Sequence, residues 1–407
     1  MSLISVDEAL RRVCDSVERP VEEETVPLAH GAGRTPARDL VAMRTQPPFA
    51  ASSMDGYAMR AADAGEAPWE LRVIGSSAAG RRFPGTVGPG EAVRIFTGAP
   101  MPDGADAVVI QEDAQVRDGS VLVKGNLRPG QFVRQAGLDF AAGDALVREG
   151  ERLDAARLAL AAAGGHAALP VRRRPRVAIL ATGDELVSPG EAIGPDQIVA
   201  SNPYAVAAVV EKAGGAAIDL GIAADTMAAL EERIAAAQAA RADILVTLGG
   251  ASVGEHDLVQ SALTAKGMEL GFWRVALRPG KPLLHGRLGS MLLLGLPGNP
   301  VSSLVCAILF VVPAIRALLG AADARADLTE PGRLGGPLRE NDGRQDYLRA
   351  TLAPGPDGVP VATAHAKQDS SMLSVLAKAQ ALIVRPPRAL AAETGEPCRI
   401  IRLDRFC

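Results

Sequence analysis

The spacing of apolar residues changes along the first part of the chain, and each spacing predicts a different kind of element. Residues 5–8 (Ser-Val-Asp-Glu) form a capping box, whose side chains satisfy backbone N–H groups, and it predicts a helix that runs to about Val17. Apolar and polar residues then alternate over short runs in 70–125, between Pro-Gly and Asp-Gly turns that are typical of β structure. Helical spacing returns over 152–165 and ends at a Gly-Gly pair. A β block between two helical segments indicates an insertion in the first domain.

From 176 to about 320, short apolar runs alternate with amphipathic segments of helical length. The predicted strands are RVAILAT, AAIDLGIA, DILVTLGG, FWRVAL, PLLHG and SMLLLGL, and the predicted helices begin at SNPYAV, TMAALE, EHDLVQ and after Pro300. Alternation of this kind predicts a mostly parallel sheet with helices on both faces. The segment after 323 returns to short strands and turns and predicts a small β domain.

One stretch resembles a membrane span by composition alone. Residues 288–315 contain no Asp, Glu, Lys or Arg, which is long enough to cross a bilayer. A Pro-Gly-Asn-Pro run at 297–300 divides this stretch into a short strand and a helix, each of the length found in soluble cores. We therefore predict that the stretch is buried in the protein and that the protein does not span a membrane.

Length, charge and cysteine content limit the class of protein. A chain of 407 residues exceeds one ordinary core, and we predict domains at 1–45 with 140–174, at 46–139, at 175–322 and at 323–407. The net charge of −4, from 43 basic and 47 acidic residues, gives no basic surface of the kind that binds nucleic acid. The 4 cysteines form no Cys-x-x-Cys pair and no signal segment is visible, so we expect a reduced, cytoplasmic protein without structural zinc.

Residues that could bind a ligand or take part in catalysis follow the predicted strands of 176–320. They lie at the edge where open parallel sheets bind ligands. They are Thr182, Gly183, Asp184 and Glu185; Asp225; Gly249, Gly250, Ser252 and Asp257; Arg278 and Lys281; and Pro297, Gly298, Asn299, Pro300 and Ser302. The glycines let backbone amides approach an anion, and the helix after Pro300 is expected to offer N–H groups at its positive end. The carboxylates would repel a phosphate unless Mg²⁺ bridged the two. These residues indicate a nucleotide-binding or phosphate-binding α/β domain.

Each of these residues also has a purely structural explanation. Asp225 could cap the following helix, and Asp257 could be a first-turn carboxylate that favours the helix dipole. The stretch 47–63, PPFAASSMDGYAMRAAD, could be a β-hairpin that turns at Asp55 and the next glycine, or an exposed recognition loop. The local pattern leaves both alternatives open.

Motifs along nearly the whole chain resemble those of the molybdopterin molybdenumtransferases, the MoeA family, whose eukaryotic relatives include the C-terminal part of gephyrin. In order they are PPFAASSMDGYAMR, RIFTGAPMPDGADAVVIQED, RPGQFVRQAGLDFAAGD, LATGDEL, SNPYAV, GGASVGEHD, RPGKP and GLPGNPVSS. TGDEL and PGNP alone would also suit the smaller molybdopterin adenylyltransferases, which share only the α/β domain. SMDGYA and TGAPMPDGADAVV favour the larger enzyme.

The resemblance implies a multidomain fold of the α/β plus β class. A central three-layer α/β domain of the molybdopterin-binding (MoaB/MogA-like) type would be joined by a β-rich inserted domain, a small helical and mixed N-terminal domain, and a C-terminal β-barrel-like domain. It also implies a homodimer whose cleft lies between the two subunits. Molybdopterin adenylyltransferase and molybdoenzyme-maturation proteins are candidate partners, and neither nucleic acid nor a membrane is expected.

The activity that the resemblance implies is the Mg²⁺-dependent insertion of molybdate into adenylylated molybdopterin, with release of AMP. By motif, the implied catalytic residues are Asp55, Thr97, Glu185, Asp225, Asp257 and Lys281. Glu185, Asp225 and Asp257 would also bind the metal. Arg134 and Asp139, and Arg344 or Arg349 with Ser370, are expected in the same cleft.

Several residues depart from the family pattern: valine is commoner at Ala251, and Arg274 and Arg278 stand where some members carry lysine. Leu248 stands where many relatives carry serine, and Asp369 stands in a Gln-Asp-Ser run where Gln-Gly-Ser is usual. A carboxylate at Asp369 would weaken the binding of an oxyanion nearby or recruit more metal. Three alternatives therefore stay open at this point: an adenylyltransferase, a tungsten-specific paralogue, and a gephyrin-like scaffold.

Overall fold

The first part of the computed structural model consists of short helices and strands, and the structure as a whole describes residues 3–124, 126–249, 258–355 and 357–407. The helices are α1 (Val6–Asp15) and α2 (Ala155–Ala163). The strands are β1 (Glu23–Pro27), β2 (Leu40–Val41), β3 (Ala51–Ser52), β4 (Gly56–Met59), β5 (Trp69–Ser77), β6 (Glu91–Ile95), β7 (Ala107–Ile110), β8 (Ala114–Arg117), β9 (Ser120–Val123), β10 (Val133–Arg134), β11 (Ala145–Val147) and β12 (Ala168–Arg172).

Both helices begin at a side-chain cap, of which only Ser5 was predicted. The Ser5 hydroxyl accepts from the Glu8 N–H at 3.1 Å, and the Asp154 carboxylate accepts from the Arg157 N–H at 2.8 Å. The predicted capping box is half formed, because the Glu8 side chain pairs with Arg12 at 2.6 Å. The predicted helices are thus present, with α1 ending at Asp15.

Strands from the two ends of this region pair with each other around an inserted sheet. β1 pairs with β12 and β2 with β11, all antiparallel, and Gln46 and Phe140 form an isolated bridge. Between these points the chain forms a sheet with the strand order β7-β4-β6-β5-β9-β8. The chain therefore leaves the first unit and returns to it at neighbouring residues.

The central part of the chain forms an α/β sandwich. Its strands are β13 (Arg176–Thr182), β14 (Leu186–Val187), β15 (Ile198–Val199), β16 (Ala216–Ala223), β17 (Ile244–Leu248), β18 (Glu269–Trp273), β19 (Leu277–Arg278), β20 (Leu284–Leu288) and β21 (Met291–Leu296). Its helices are α3 (Asn202–Ala213), α4 (Met227–Ala239), α5 (Leu258–Ala265), α6 (Pro300–Cys306) and α7 (Val312–Leu318).

The main sheet has the order β16-β13-β17-β21-β20-β18, parallel through β21 and antiparallel at β20 and β18. Alternate residues of β13 point to opposite faces: Val177 and Ile179 pack in the core with α3, α6 and α7, and Ala178 and Leu180 pack in the core with α4 and α5. A strand buried on both faces reads as a continuous apolar run, which is why the sequence predicted this sheet well.

The predicted strand FWRVAL is wrong as a single element. β18 ends at Trp273, and Arg274 has a backbone φ of 83°, a conformation that residues other than glycine rarely adopt. The chain turns there and continues as β19, which pairs with a strand of the last domain.

The charge-free stretch forms a strand and a helix inside the protein, as predicted. α6 and α7 are joined by a π-helical turn at Ala307–Val311, so that one helix runs over Pro300–Leu318. Pro313 explains the turn, because proline lacks the N–H of a regular helix and its ring clashes with the carbonyl four residues earlier. Most of this helix is buried within the described fold, as in the core of a soluble protein.

The last part of the chain forms a closed barrel. Its elements are β22 (Glu330–Leu334), β23 (Gln345–Ala353), β24 (Val361–Ala364), α8 (Leu373–Lys378), β25 (Ala381–Arg385) and β26 (Pro397–Arg402). The strands pair in the order β23-β24-β22-β26-β25, and β25 pairs back with β23. Closure removes the free edges of a sheet, and it confirms the predicted barrel-like domain.

Candidate active site

A cleft of about 840 Å³ lies at the carboxyl ends of the parallel strands, a volume in the range of small-molecule sites. The residues predicted at this edge that line it are Thr182, Gly183, Glu185, Asp225, Gly249, Pro297, Gly298, Asn299 and Pro300. Gly250, Ser252 and Asp257, which were predicted for the same site, lie outside the described residues. The structure thus brings together the ends of β13, β16, β17 and β21.

The floor of the cleft is closely packed at Gly249. A side chain there would place its Cβ 2.7 Å from the Thr182 carbonyl oxygen and 3.0 Å from the Thr182 hydroxyl, and the backbone φ is 101°. The Thr182 hydroxyl is buried and has no hydrogen-bond partner among the residues that the structure describes. A buried hydroxyl that lines a cleft and lacks a partner is suited to a polar ligand atom.

Carboxylates of the cleft lie close enough to affect one another. The Asp184 carboxylate accepts from the Asp225 N–H at 3.0 Å. Partial burial, followed by the negative charges of Asp184 and Glu185, raises the pKa of the Asp225 carboxyl above its usual value. The alternative that Asp225 caps α4 is wrong, because the Thr226 hydroxyl accepts the Ala229 N–H at 3.3 Å. The Asp225 carboxylate is therefore free to face the cleft.

The donor chemistry of this cluster suits Mg²⁺, which prefers carboxylate oxygens. Glu185 and Asp225 line the cleft and provide two such groups. Within the described residues, no three His, Cys, Asp or Glu side chains are arranged to hold a metal ion. The third predicted ligand, Asp257, belongs to the segment outside that description.

The Pro-Gly-Asn-Pro turn is held from two sides. The Asn202 side-chain amide donates to the Gly298 carbonyl at 2.6 Å, and the Asn299 amide donates to the Ser370 hydroxyl at 3.1 Å. The Val301 N–H donates to the Ser370 carbonyl at 3.0 Å, and Pro300 has no N–H. The expectation that α6 offers free N–H groups to an anion is therefore wrong at these two positions. Ser370, which was expected in the cleft, contacts the turn, and the neighbouring Ser371 lines the cleft.

Asp55 and Thr97 form a pair on the inserted sheet, away from the lining of the cleft. The Asp55 carboxylate accepts from the Thr97 N–H at 2.7 Å and from its hydroxyl at 2.8 Å, and these bonds lower the pKa of the Asp55 carboxyl. The hairpin alternative for this stretch is wrong, because β3 pairs with β10, and β4 lies between β6 and β7.

Arg134 and Asp139 lie in the same inserted part of the chain. Arg134 is in β10, opposite Ala51 of β3, and the Asp139 N–H donates to the Gln46 carbonyl at 3.0 Å. Both side chains are exposed, and neither lines the cleft. Asp55, Thr97, Arg134 and Asp139 thus form a second group on the inserted part, separate from the residues that line the cleft of the α/β domain.

Arg278 and Arg344 are engaged with acidic and amide groups of the barrel. The Arg278 guanidinium donates to Asp342 at 3.1 Å, to Asn341 at 3.0 Å and to Asp346, and Arg344 donates to Asp342 at 2.8 Å. Neither arginine lines the cleft, and neither does Lys281, although the next residue, Pro282, does.

Arg349 is buried, with 1% of its surface exposed, and it supports the loop that carries Ser370. Its N–H and Nε donate to the Gln368 side chain at 3.0 and 3.1 Å, and its Nη1 donates to the Asp369 carbonyl at 2.6 Å. The Asp369 carboxylate accepts from the Ser371 N–H at 2.8 Å and hydroxyl at 2.6 Å, which lowers its pKa and keeps it ionised.

Sequence reasoning missed the apolar wall of the cleft. Leu186, Ile198, Val199 and Leu373 line it together with Asn202, which lies in the SNPYAV motif. The asparagine could have been found from that motif. The apolar residues carry no comparable signal, because exposed and cleft-lining aliphatic side chains look alike in a sequence.

Family models match in sequence order along the chain. The first is described as the MoeA N-terminal region (domain I and II) and matches residues 4–165; the second, a probable molybdopterin binding domain, matches 178–317; the third, the MoeA C-terminal region (domain IV), matches 331–403. The fold and cleft therefore define a multidomain protein built around a molybdopterin-binding α/β domain.

Known proteins match the same arrangement over almost the full length. A molybdopterin molybdenumtransferase from Haemophilus influenzae is 33% identical over 98% of both chains, and one from Nostoc sp. is 36% identical over 94% of this chain and 89% of its own. The crystal structure of a molybdopterin biosynthesis MoeA protein from Pyrococcus horikosii is 32% identical, with a TM-score of 0.81 over 98% of this chain and 99% of that one. The chain belongs to the molybdopterin molybdenumtransferase family, and the predicted fold class is confirmed.

Proposed function

We propose that this protein inserts molybdate into adenylylated molybdopterin and releases AMP, in the biosynthesis of the molybdenum cofactor. The observation that carries the proposal is that the N-terminal, molybdopterin-binding and C-terminal regions of the family are all present in one chain. Relatives named molybdopterin molybdenumtransferase match it from end to end, which favours this reaction over the adenylyl transfer of the smaller enzymes.

The described residues have chemically sensible roles in this reaction. The Thr182 hydroxyl would bind a polar atom of the substrate, and Gly249 would let the backbone approach the substrate closely. The Pro-Gly-Asn-Pro turn would form another wall of the cleft. Glu185, Asp225 and Asp257 would hold Mg²⁺, which when bound offsets negative charge on the departing phosphate. Molybdate itself can be the attacking group, so no side chain has to act as a covalent nucleophile.

The second group of residues would complete the cleft from another subunit. Asp55 and Thr97 are bonded to each other and lie outside the cleft lining, and the neighbouring Met54 and Phe96 are 37% and 40% exposed. A homodimer that places this surface against the cleft of its partner would bring Asp55, Thr97, Arg134 and Asp139 to the substrate. Such a protein would act in the cytoplasm, where we expect it from its free cysteines.

The test is reconstitution with purified full-length protein, adenylylated molybdopterin, Mg²⁺ and molybdate. We expect AMP release coupled to molybdenum bound by the pterin, and loss of both in Asp55→Ala at unchanged melting temperature. Removal of Mg²⁺ with a chelator should also abolish both.

Three results would contradict the proposal. Consumption of ATP with molybdopterin in the absence of molybdate would indicate an adenylyltransferase. A strong preference for tungstate would indicate a tungsten-specific paralogue. Tight pterin binding without turnover of either oxyanion would indicate a scaffold.

A further inference from the structure

The barrel strand β23 carries a buried carboxylate that faces the α/β domain. Asp346 is 4% exposed and lies opposite Arg278 in the parallel pairing of β19 with β23. The Gln345 N–H also donates to the Ala276 carbonyl at 2.9 Å, so the backbones of the two domains are joined at this point. The segment from β19 into the cleft wall is therefore attached to the barrel.

Asp346 depends on Arg278 for its charge partner. One carboxylate oxygen, Oδ2, accepts from the Arg278 guanidinium, and the other, Oδ1, is buried without a partner in the described part of the chain. Burial raises the pKa of the Asp346 carboxyl above its usual value, and the bond from Arg278 offsets only part of that rise. Because a buried charge is costly without a partner, Asp346 fixes the guanidinium of Arg278 strongly.

Arg278 in turn starts a tight turn that ends in the cleft. Gly280 packs so closely that a Cβ would lie 2.5 Å from the Cys306 sulfur, in the helix that follows the Pro-Gly-Asn-Pro turn. Lys281 follows, and Pro282 lines the cleft. A closely packed turn of four residues, 278–281, thus connects the partner of the buried Asp346 to the cleft wall at Pro282.

We propose that Asp346 is a positioning residue for the transfer reaction: it holds Arg278, and through Arg278 it holds the turn that places the positive charge of Lys281 beside the cleft wall, where that charge favours binding of the anionic pterin substrate. The inference rests on the proposed function and extends it to a residue outside the cleft. Arg278 acts here as an anchor whose donors are taken by the barrel, and Lys281 as the cation that the anchor places.

The experiment compares Asp346→Asn, Arg278→Gln and the double variant in the reconstituted full-length protein, with Asp357→Asn as the matched control. Asp357 pairs with Arg333 at 2.6 Å in the same barrel and is exposed. We expect each single variant to raise the KM for adenylylated molybdopterin about tenfold with kcat changed less than about threefold, because misplaced cations weaken binding of the anion in the ground and transition states alike.

The double variant tests whether Asp346 acts through Arg278. We expect its KM to stay within about threefold of the single variants, since one interaction is lost in all three, and the control to stay within about twofold of wild type. Partial unfolding would lower kcat and leave KM unchanged. Hydrogen exchange of the peptide spanning 274–284 should accelerate in both single variants and not in the control.

Additive effects on KM, or a normal KM in Asp346→Asn, would overturn the inference. If Asp346→Asn does not fold, Arg278→Lys decides, because an ammonium cannot reproduce the fork that bridges Asp346, Asp342 and Asn341. A wild-type KM in that variant would also overturn it. If the proposed function is wrong, the wild-type protein itself will not release AMP in the reconstituted reaction. In that case hydrogen exchange of the peptide 274–284 still tests whether Asp346 holds Arg278 in place.

Discussion

At the scale of single residues, the charge of Asp225 is opposed by its surroundings. Its folded pKa is raised by partial burial and by Asp184 and Glu185, so the folded state holds a proton that the unfolded state releases. Stability is therefore lost as the pH rises from the ordinary aspartate pKa through the raised one. Asp225→Asn should melt at a higher temperature than wild type in the absence of ligand, with a difference that is small near pH 3.5 and grows as the pH rises.

Thermal melting with and without Mg²⁺ checks this prediction. Mg²⁺ should raise the melting temperature of wild type and have little effect on Asp225→Asn, since the cation relieves the same repulsion. Asp118→Asn, in the exposed turn between β8 and β9, is the control and should behave as wild type. An equal response of all three proteins to Mg²⁺ would exclude Asp225 as a metal ligand.

His285 predicts a second dependence on pH. It is 2% exposed, its Nε2 lies 2.8 Å from the Ser16 hydroxyl, and burial lowers its pKa from 6.5 to about 4. The unfolded state binds a proton first as the pH falls, so stability present above pH 6.5 is lost between 6.5 and about 4. The loss should approach about 3 kcal/mol, from about 1.4 kcal/mol for each pKa unit.

Denaturation of His285→Gln between pH 7 and 4 measures this contribution. The variant should be less stable at pH 7 and lose less stability on acidification than wild type. His166→Gln, which removes a partly exposed histidine bonded to the Val41 carbonyl, should keep the wild-type pH dependence. If the stability of His285→Gln falls with pH in parallel with that of wild type, the loss of stability in acid is due to carboxylates and not to His285.

At the scale of elements, the sequence was most informative where burial imposes a simple period. The strands of the main sheet and the helices α2 and α4 were predictable because their apolar spacing is a local signal, although the cap of α4 is Thr226 and not the neighbouring Asp225. The edge of the sheet where ligands bind followed from the alternation of strands and helices. The break at Arg274 was not predictable, because a positive φ at an arginine leaves no mark in the pattern.

Pairing between distant strands was the other limit. The stretch around Asp55 looked like a hairpin, yet β3 and β4 pair with strands far along the chain. Asp346 gave no signal either, because its importance arises from closure of the barrel and from the pairing of β23 with β19. Which arginine supports Ser370 likewise depends on burial, which distinguishes Arg349 from the more exposed Arg344.

At the scale of the whole molecule, the separation of the predicted residues into two groups predicts complementation between subunits. If Asp55 of one subunit serves the Asp225 cleft of the other, Asp55→Ala and Asp225→Asn are each inactive alone. A mixed dimer contains one site with both residues intact, so equal mixing and reassembly should restore about a quarter of wild-type activity. The measurement is AMP release after co-refolding or co-expression with two different tags.

The control for complementation is a mixture of Asp225→Asn with Glu185→Gln. Both residues line the same cleft, so every mixed dimer has an altered residue in each site. This mixture should remain inactive. Activity restored equally in both mixtures, or in neither, would contradict a cleft shared between subunits.

The bridge between Gln46 and Phe140 also bears on how the molecule folds. Hydrogen bonds of 2.9 and 3.3 Å join the two residues, although a whole sheet lies between them in the chain. Once that sheet has formed, the remainder of the first unit has only a short gap to close, because the ends to be joined are already side by side. For the flanking strands that pair around the inserted sheet, the insertion then costs about as much loop-closure entropy as an ordinary reverse turn.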